Sequence, residues 1–293
     1  MNSGIGIPIR ILMLVMRLRA QVRFGIFAIA HMQRSIFLCP RMLVSYLLTN
    51  MKHFTLIIGL FLFVAVATAG KVSNEFYDEY AELLQKYVKA NGVAYADWAA
   101  KDADVVALDS LLAEWAEIDV AALCQPSQKA FYINLYNAAM LQAVLDHYPL
   151  KSVKDIGLIP FSIFKKDFIE QGGRELSLDD VEKGILLKEH GDPRIHFAVN
   201  CASESCPPLR AEPFIAAMLE VQLDEQTHLF ANSERAARKV GKRYAYSELF
   251  NWYDSDFQGK HPAEYLNRYR VESLPTDEKF DWISYDWSLN SAQ

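Results

Sequence analysis

The first 69 positions of this 293-residue chain contain no acidic residue. The whole chain also lacks a G-x-S-x-G elbow, a Walker loop, a G-x-G-x-x-G fingerprint and an H-E-x-x-H pair. Those gaps remove the sequence signatures of serine α/β-hydrolases, P-loop enzymes, dinucleotide enzymes and zinc peptidases. No cofactor is expected on these grounds. No internal repeat, low-complexity tract or linker interrupts the chain. Cysteine is sparse, with four in all, and Cys124, Cys201 and Cys206 are the three beyond position 69. Two cysteines with four residues between them, and no second pair, make a poor zinc signature. A metal site would have to recruit Cys201, Cys206 and His196 together with a distant His147, His190 or His228. No metal is expected.

The missing acids sort the chain into two parts. Residues 1–69 carry Arg10, Arg17, Arg19, Arg23, Arg34, Arg41 and Lys52. Removing those seven from the 30 basic residues leaves 23 against 36 acidic ones, a net of −13 for the remainder. Such a charge repels nucleic acid and anionic membrane, so no nucleic-acid partner is expected. The 52% hydrophobic content is above the usual globular value, and the excess lies at the front. Met51 begins MKHFTLIIGLFLFVAVATAG: a basic start, an apolar run, then Ala67-Thr68-Ala69. This reads as a secretory signal with a small-x-small cleavage site, leaving Gly70 first. A retained anchor is the alternative, and cleavage would leave no stable membrane insertion. Localisation is then periplasmic or secreted. Residues 1–50 precede the signal, with arginines breaking every apolar run. They read as a mis-assigned upstream start, with a long signal n-region or an amphipathic surface segment as alternatives.

From residue 70 onward the pattern predicts one helix-rich α+β domain with a small, mainly antiparallel sheet. Helices are expected at 73–90, from a cap at Asp104, at 126–148, from a Ser177–Asp180 capping box to Glu189, at 213–230, from Ser247, and near 261–270. The helix at 126–148 is apolar almost all round, so it should be central and buried. Asn134 and Asn137 share one face of it, either bonding neighbouring loop backbone or lining a ligand cleft. Hairpins are expected around Gly172-Gly173 and Gly241-Lys242.

The stretch Asp192–Arg210, DPRIHFAVNCASESCPPLR, carries most of the chemistry. Ile195, Phe197 and Val199 alternate with His196, Ala198 and Asn200, which reads as a half-buried strand. A polar loop with Cys201 and Cys206 follows, and Pro207-Pro208 ends it. Thiol catalysis needs a cysteine, a base and an orienting group. Here Cys201 is the candidate nucleophile, His196 the base, Asn200 the orienter and Cys206 a resolving or alternative thiol. In an extended strand His196 and Cys201 would lie roughly 16 Å apart, so the loop must fold back. Plainer readings are a packed strand histidine and a structural disulfide. A third makes the loop a nest of free backbone N–H groups, with Arg210 adding charge for a carboxylate ligand. Cys124 precedes the central helix, where a thiol is activated or is simply a small buried hydrophobe. The aromatics of NWYDSDF read as core and cleft wall.

Four stretches give a resemblance: AFYINLYNAAML at 130–141, DPRIHFAVNCASESCPPLR, SELFNWYDSDF at 247–257 and YDWSLN at 285–290. The chain resembles domain-of-unknown-function family 547, over about Tyr77 to Asn290. That likeness carries over Asn134, Asn137, His196, Asn200, Cys201, Cys206 and Pro207, and implies an exported bacterial setting. A looser likeness is to papain-like and transglutaminase-like folds, which pack a central helix against a strand bearing the base. Their nucleophile sits at the helix N-terminus, where this chain has Ser127. The expectation is therefore a cleft between helix 127–148 and segment 194–210. It would serve a thiol-dependent hydrolase or acyltransferase on small peptides or amides. The alternatives are a binding module for a small peptide or thiol compound, with Arg210, Asn134 and Asn137 among its contacts, or a structural role.

Overall fold

The computed structural model describes residues 75–292. The readings made for residues 1–69, signal included, lie outside them. Helix α1, Asp78–Tyr87, packs Tyr80, Leu83, Leu84 and Tyr87 inward. The short strands β1, Val88–Lys89, and β2, Gly92–Val93, follow it. The helix expected over 73–90 stops at Tyr87, and Ala90-Asn91 is the turn of this two-residue hairpin. Gly92 is required there: φ is +135° and an added Cβ would sit 2.3 Å from the Asn290 carbonyl oxygen. Helix α2, Tyr95–Ala99, leads into α3, Asp102–Ala116. Asp104 lies inside the first turn of α3, where it takes hydrogen bonds from Lys86 and Tyr87 and caps nothing.

Helix α4, Gln125–Asp146, is the axis of the fold. Pro126 suits its first turn, where the missing N–H costs no bond. Every residue from Ile133 to Leu145 is buried, as an all-round apolar helix requires. Trp115 of α3 meets Tyr80 edge-on at 5.3 Å and tilts onto Phe131 of α4 at 5.9 Å. Truncating a buried leucine such as Leu135 to alanine should cost about 2–5 kcal/mol.

The hairpin β3, Ile169–Gln171, and β4, Arg174–Leu176, turns at Gly172-Gly173 as the sequence predicts. The Ser177–Asp180 capping box also forms: the Asp180 N–H donates to Ser177 Oγ at 3.1 Å, and the Ser177 N–H to Asp180 Oδ2 at 3.0 Å. The helix it starts is a π-helix over Asp180–Leu187, running into α5, Lys188–His190. Wide π turns recur at functional sites.

The strand expected at 192–200 does not form. Ile195–Ala198 is one helical turn, α6. Asp192 Oδ1 accepts the Arg194 N–H at 3.0 Å and closes a turn just ahead of it. All four residues of α6 are buried, so the apparent alternation never marked two faces. Helix α7, Leu219–Ala231, packs on α6. It begins six residues later than the Pro213 expected, because Gln222 holds residues 213–215 in a loop through the Ile215 N–H and the Pro213 carbonyl.

Strands β5, Ala237–Val240, and β6, Arg243–Ser247, form the second hairpin, and β7, Asp281–Ile283, adds to β6 in parallel. Two short helices lie between β6 and β7: α8, Leu249–Trp252, and α9, Pro262–Leu266. An aromatic core of Phe197, Phe230, Tyr246, Phe250, Phe257 and Tyr265 joins α6, α7, α8 and α9. The architecture is therefore helix-rich α+β with small, mainly antiparallel sheets. Among the described residues no helix is long and apolar enough to cross a membrane.

Candidate functional site

Buried asparagines hold the loop that follows α6. Asn137 of α4 donates its amide to the Ala198 carbonyl at 3.0 Å and accepts the Asn200 N–H at 2.8 Å. Asn134 does the same for both backbone groups of Phe214, at 2.7 and 2.9 Å. Neither amide lines the cleft described below. Asn200 donates to the Pro207 carbonyl at 2.7 Å and accepts from the Ala202 N–H at 2.9 Å and the Asn290 amide at 3.2 Å. It pins the two ends of the thiol loop and is not the orienter of His196. The C-terminal segment seals the other side, with Glu204 N–H on the Ser288 carbonyl at 2.8 Å and Ser205 N–H on the Asp286 carbonyl at 3.1 Å.

The nest reading of this loop fails for the same reason. The N–H groups of residues 201, 202, 204, 205 and 206 all have protein acceptors. Arg210 pairs with Glu212 at 3.1 Å and Glu225 at 2.9 Å, away from the cleft. The loop is braced, and its backbone offers no anion cradle.

That bracing sets two thiols together. Cys201 and Cys206 are both free. The Cys201 N–H donates to Cys206 Sγ at 3.2 Å. Cys201 Sγ lies 2.9 Å from Ser203 Oγ and 3.4 Å from the Tyr285 hydroxyl. Hydrogen bonds from the Cys206 thiol first, then Ser203 and Tyr285, lower the Cys201 pKa to about 7, against the opposing effect of burial. Burial, reinforced by the neighbouring Cys201, pushes Cys206 well up. Cys201 is half-buried and Cys206 is only 5% exposed, so one sulfur faces outward and the other backs it. Cys124 stands apart, 3.2 Å from Ser127 Oγ at the start of α4.

His196 belongs to a second network. Its Nε2 is 2.8 Å from Asp256 Oδ2, and its Nδ1 is 3.9 Å from Glu182 Oε1. Glu182 comes from the π-helix and accepts the Tyr253 hydroxyl at 2.9 Å. The Tyr253 ring lies against the imidazole, with centroids 4.0 Å apart. Burial first, and Glu182 next, raise the Tyr253 pKa, so its hydroxyl stays protonated and donates. The turn bearing His196 is anchored by an ion network in which Asp192 meets Lys129 of α4 at 2.9 Å and Arg194 at 2.8 Å. Burial pushes Asp192 up, but Arg194 and Lys129 overcome it and hold the carboxyl at about 2.

Both networks open into one cleft of about 220 Å³. His196, Cys201 and Cys206 line it with Glu182 and Tyr136, and Trp252, Tyr253, Phe161 and Trp287 form aromatic walls. Tyr136 is the only residue of α4 in that lining, so the central helix contributes less than expected and the cleft draws on the π-helix, α8 and the C-terminal segment. The Trp and Tyr of NWYDSDF are cleft wall, as the sequence suggests. The reading missed Asp256, Glu182 and Tyr285. Asp256 and Tyr285 lie inside the quoted segments SELFNWYDSDF and YDWSLN, whereas Glu182 carries no local signal. Among the described residues no group of three or more His, Cys, Asp or Glu side chains is arranged to hold a metal ion.

No curated protein and no solved structure matches the chain. Residues 120–231 match the family model described as "Protein of unknown function, DUF547". That span is narrower than the Tyr77–Asn290 suggested by the resemblance. It contains α4, His196 and both thiols, and leaves Asp256 and Tyr285 outside. The likeness to domain-of-unknown-function family 547 is carried by residues 120–231.

Proposed function

We propose that the chain is a thiol-dependent hydrolase or acyltransferase acting on small peptides or amides, with Cys201 as nucleophile. The observation that carries the reading is the Cys201 sulfur itself, lowered to about 7 by its hydrogen bonds and half-buried at a cleft of substrate size. A thiol with that pKa is about half thiolate at neutral pH, so it needs no base to activate it. The thiolate attacks an amide carbonyl carbon, the C–N bond breaks, and an amine leaves with a proton. His196, oriented by Asp256, supplies that proton. Water or a second amine then resolves the thioester. Glu182 and the aromatic walls orient the substrate in the cleft. In an assay with short peptide nitroanilides, the wild type should release the amine with turnover. Full activity in a Cys201→Ser, Cys206→Ser double variant would remove the idea.

One observation favours the non-catalytic alternative, a binding module for a small peptide or thiol compound. The hydrogen bonds of Cys201 go to Ser203 and Tyr285, and the strong bond of His196 goes to Asp256, so thiol and imidazole are not joined. Binding alone would show as a rise in Tm with ligand and no turnover. No shift across a peptide and thiol panel counts against it. Export belongs to the same proposal: the signal read at Met51–Ala69 would deliver a net-negative domain to the periplasm or medium. N-terminal sequencing of the secreted protein should begin at Gly70, and a cell-retained chain carrying residues 51–69 would contradict it.

A further inference from the structure

We propose that Cys201 and Cys206 form a reversible dithiol–disulfide couple that exchanges with the disulfides of small thiol compounds in the cleft. This activity is separate from acyl transfer, although it begins at the same sulfur. The arrangement carries the argument. The two cysteines are brought into direct contact by a loop of four intervening residues, with the Cys201 N–H 3.2 Å from Cys206 Sγ. One sulfur is half-buried at the cleft and the other is buried behind it. Ala202 takes a left-handed φ of 57°, which turns the chain between them. The bonds that hold the loop come from Asn137, Asn200, Arg235 and residues 286–290. None of those needs a sulfur–sulfur bond, so the loop has its shape while both thiols are reduced.

The steps balance without a further reactant. The Cys201 thiolate attacks one sulfur of R–S–S–R. The substrate S–S bond breaks, a Cys201–S–S–R mixed disulfide forms, and one R–S⁻ leaves and takes a proton from water. Cys201 is then neutral and no longer accepts from Cys206, which removes the two influences of Cys201 that held the second thiol protonated. Cys206 releases its proton to water and attacks Cys201 Sγ. The mixed disulfide breaks, a second R–S⁻ leaves and is protonated, and the Cys201–Cys206 disulfide remains. Two electrons have passed from the cysteine pair to the substrate, and two protons, one released by Cys206 and one drawn from water, complete two R–SH. A dithiol reductant reverses the sequence.

Oxidised glutathione is the probe. Reduced full-length protein is mixed with it, quenched in acid at intervals, alkylated and mapped by mass. The wild type should lose two hydrogens through a Cys201–Cys206 bridge while Cys124 remains alkylatable. The Cys206→Ser variant should accumulate a single glutathione on Cys201. The Cys201→Ser variant should react at position 206 more than about tenfold more slowly, because the Cys206 sulfur is buried behind the cleft. Stable glutathione on Cys201 of the wild type with no internal bridge would overturn the proposal, as would oxidation confined to Cys124. The wild-type result decides the matter even if a variant fails to fold. The acyl reading fails independently: bridge formation without amide turnover leaves this proposal standing, and amide turnover without bridge formation does the reverse.

Discussion

The two sides of the cleft are built on opposite plans. The thiol side is a loop whose backbone is braced by protein hydrogen bonds, so that the Cys201 sulfur is held at the cleft with hydroxyl and thiol donors around it. The histidine side is a buried helical turn, where a charged network fixes the backbone and two carboxylates flank one imidazole. Donors surround the sulfur and favour its anion, whereas the imidazole lies between the carboxylates of Asp256 and Glu182. A thiolate and a proton source can therefore coexist in one cleft without touching. The usual thiol–imidazole pair shares a hydrogen bond; here each group is held by its own neighbours.

The comparison can be broken at several points. Replacing Cys201 by serine should remove amide turnover altogether, a loss of at least about 1000-fold, because the hydroxyl has no anion at neutral pH. The His196→Gln variant should lower kcat by roughly 100-fold or more and leave the alkylation rate of Cys201 within about twofold. A collapse of Cys201 reactivity in that variant would show that the two sides are one network. Asn137→Ala should act on stability first. It strands the Ala198 carbonyl and the Asn200 N–H in the core, at about 1–3 kcal/mol for each unsatisfied group, and Tm should fall by on the order of 10 °C. An unchanged Tm would mean that the loop is held without that clamp. Tyr285→Phe should have the smallest effect, a several-fold loss of Cys201 alkylation below neutral pH with little change above it.

Much of this was legible in the sequence. The largely apolar text from Phe131 to Leu145 announced a central buried helix, the Ser177–Asp180 pair the cap of the helix that follows it, and the two glycine turns their hairpins. The cysteines, the histidine and the cleft-facing aromatics were also found. What misled was local pattern where burial is complete: around Ile195–Ala198 every position is inside, so period carries no information about faces. Asn200 misled in another way. Its residue type suits an orienter, but its neighbours in space are Pro207, Ala202 and Asn290, which no spacing rule reveals. Asp256 and Glu182 reach His196 across 60 and 14 residues of sequence, and only folding brings them there.

The most direct test of the account is the pH dependence of Cys201 alkylation in the reduced wild-type protein, mapped by mass against Cys124 and Cys206. Alkylation needs the thiolate. A lowered Cys201 pKa therefore makes the rate climb through a midpoint near 7 and level off above it, while Cys206, pushed up, stays slow across the same range. A Cys201 midpoint at or above 8.5, the ordinary thiol value, or a Cys206 that reacts as fast as Cys201, would contradict the claim that this loop is built to present one activated sulfur.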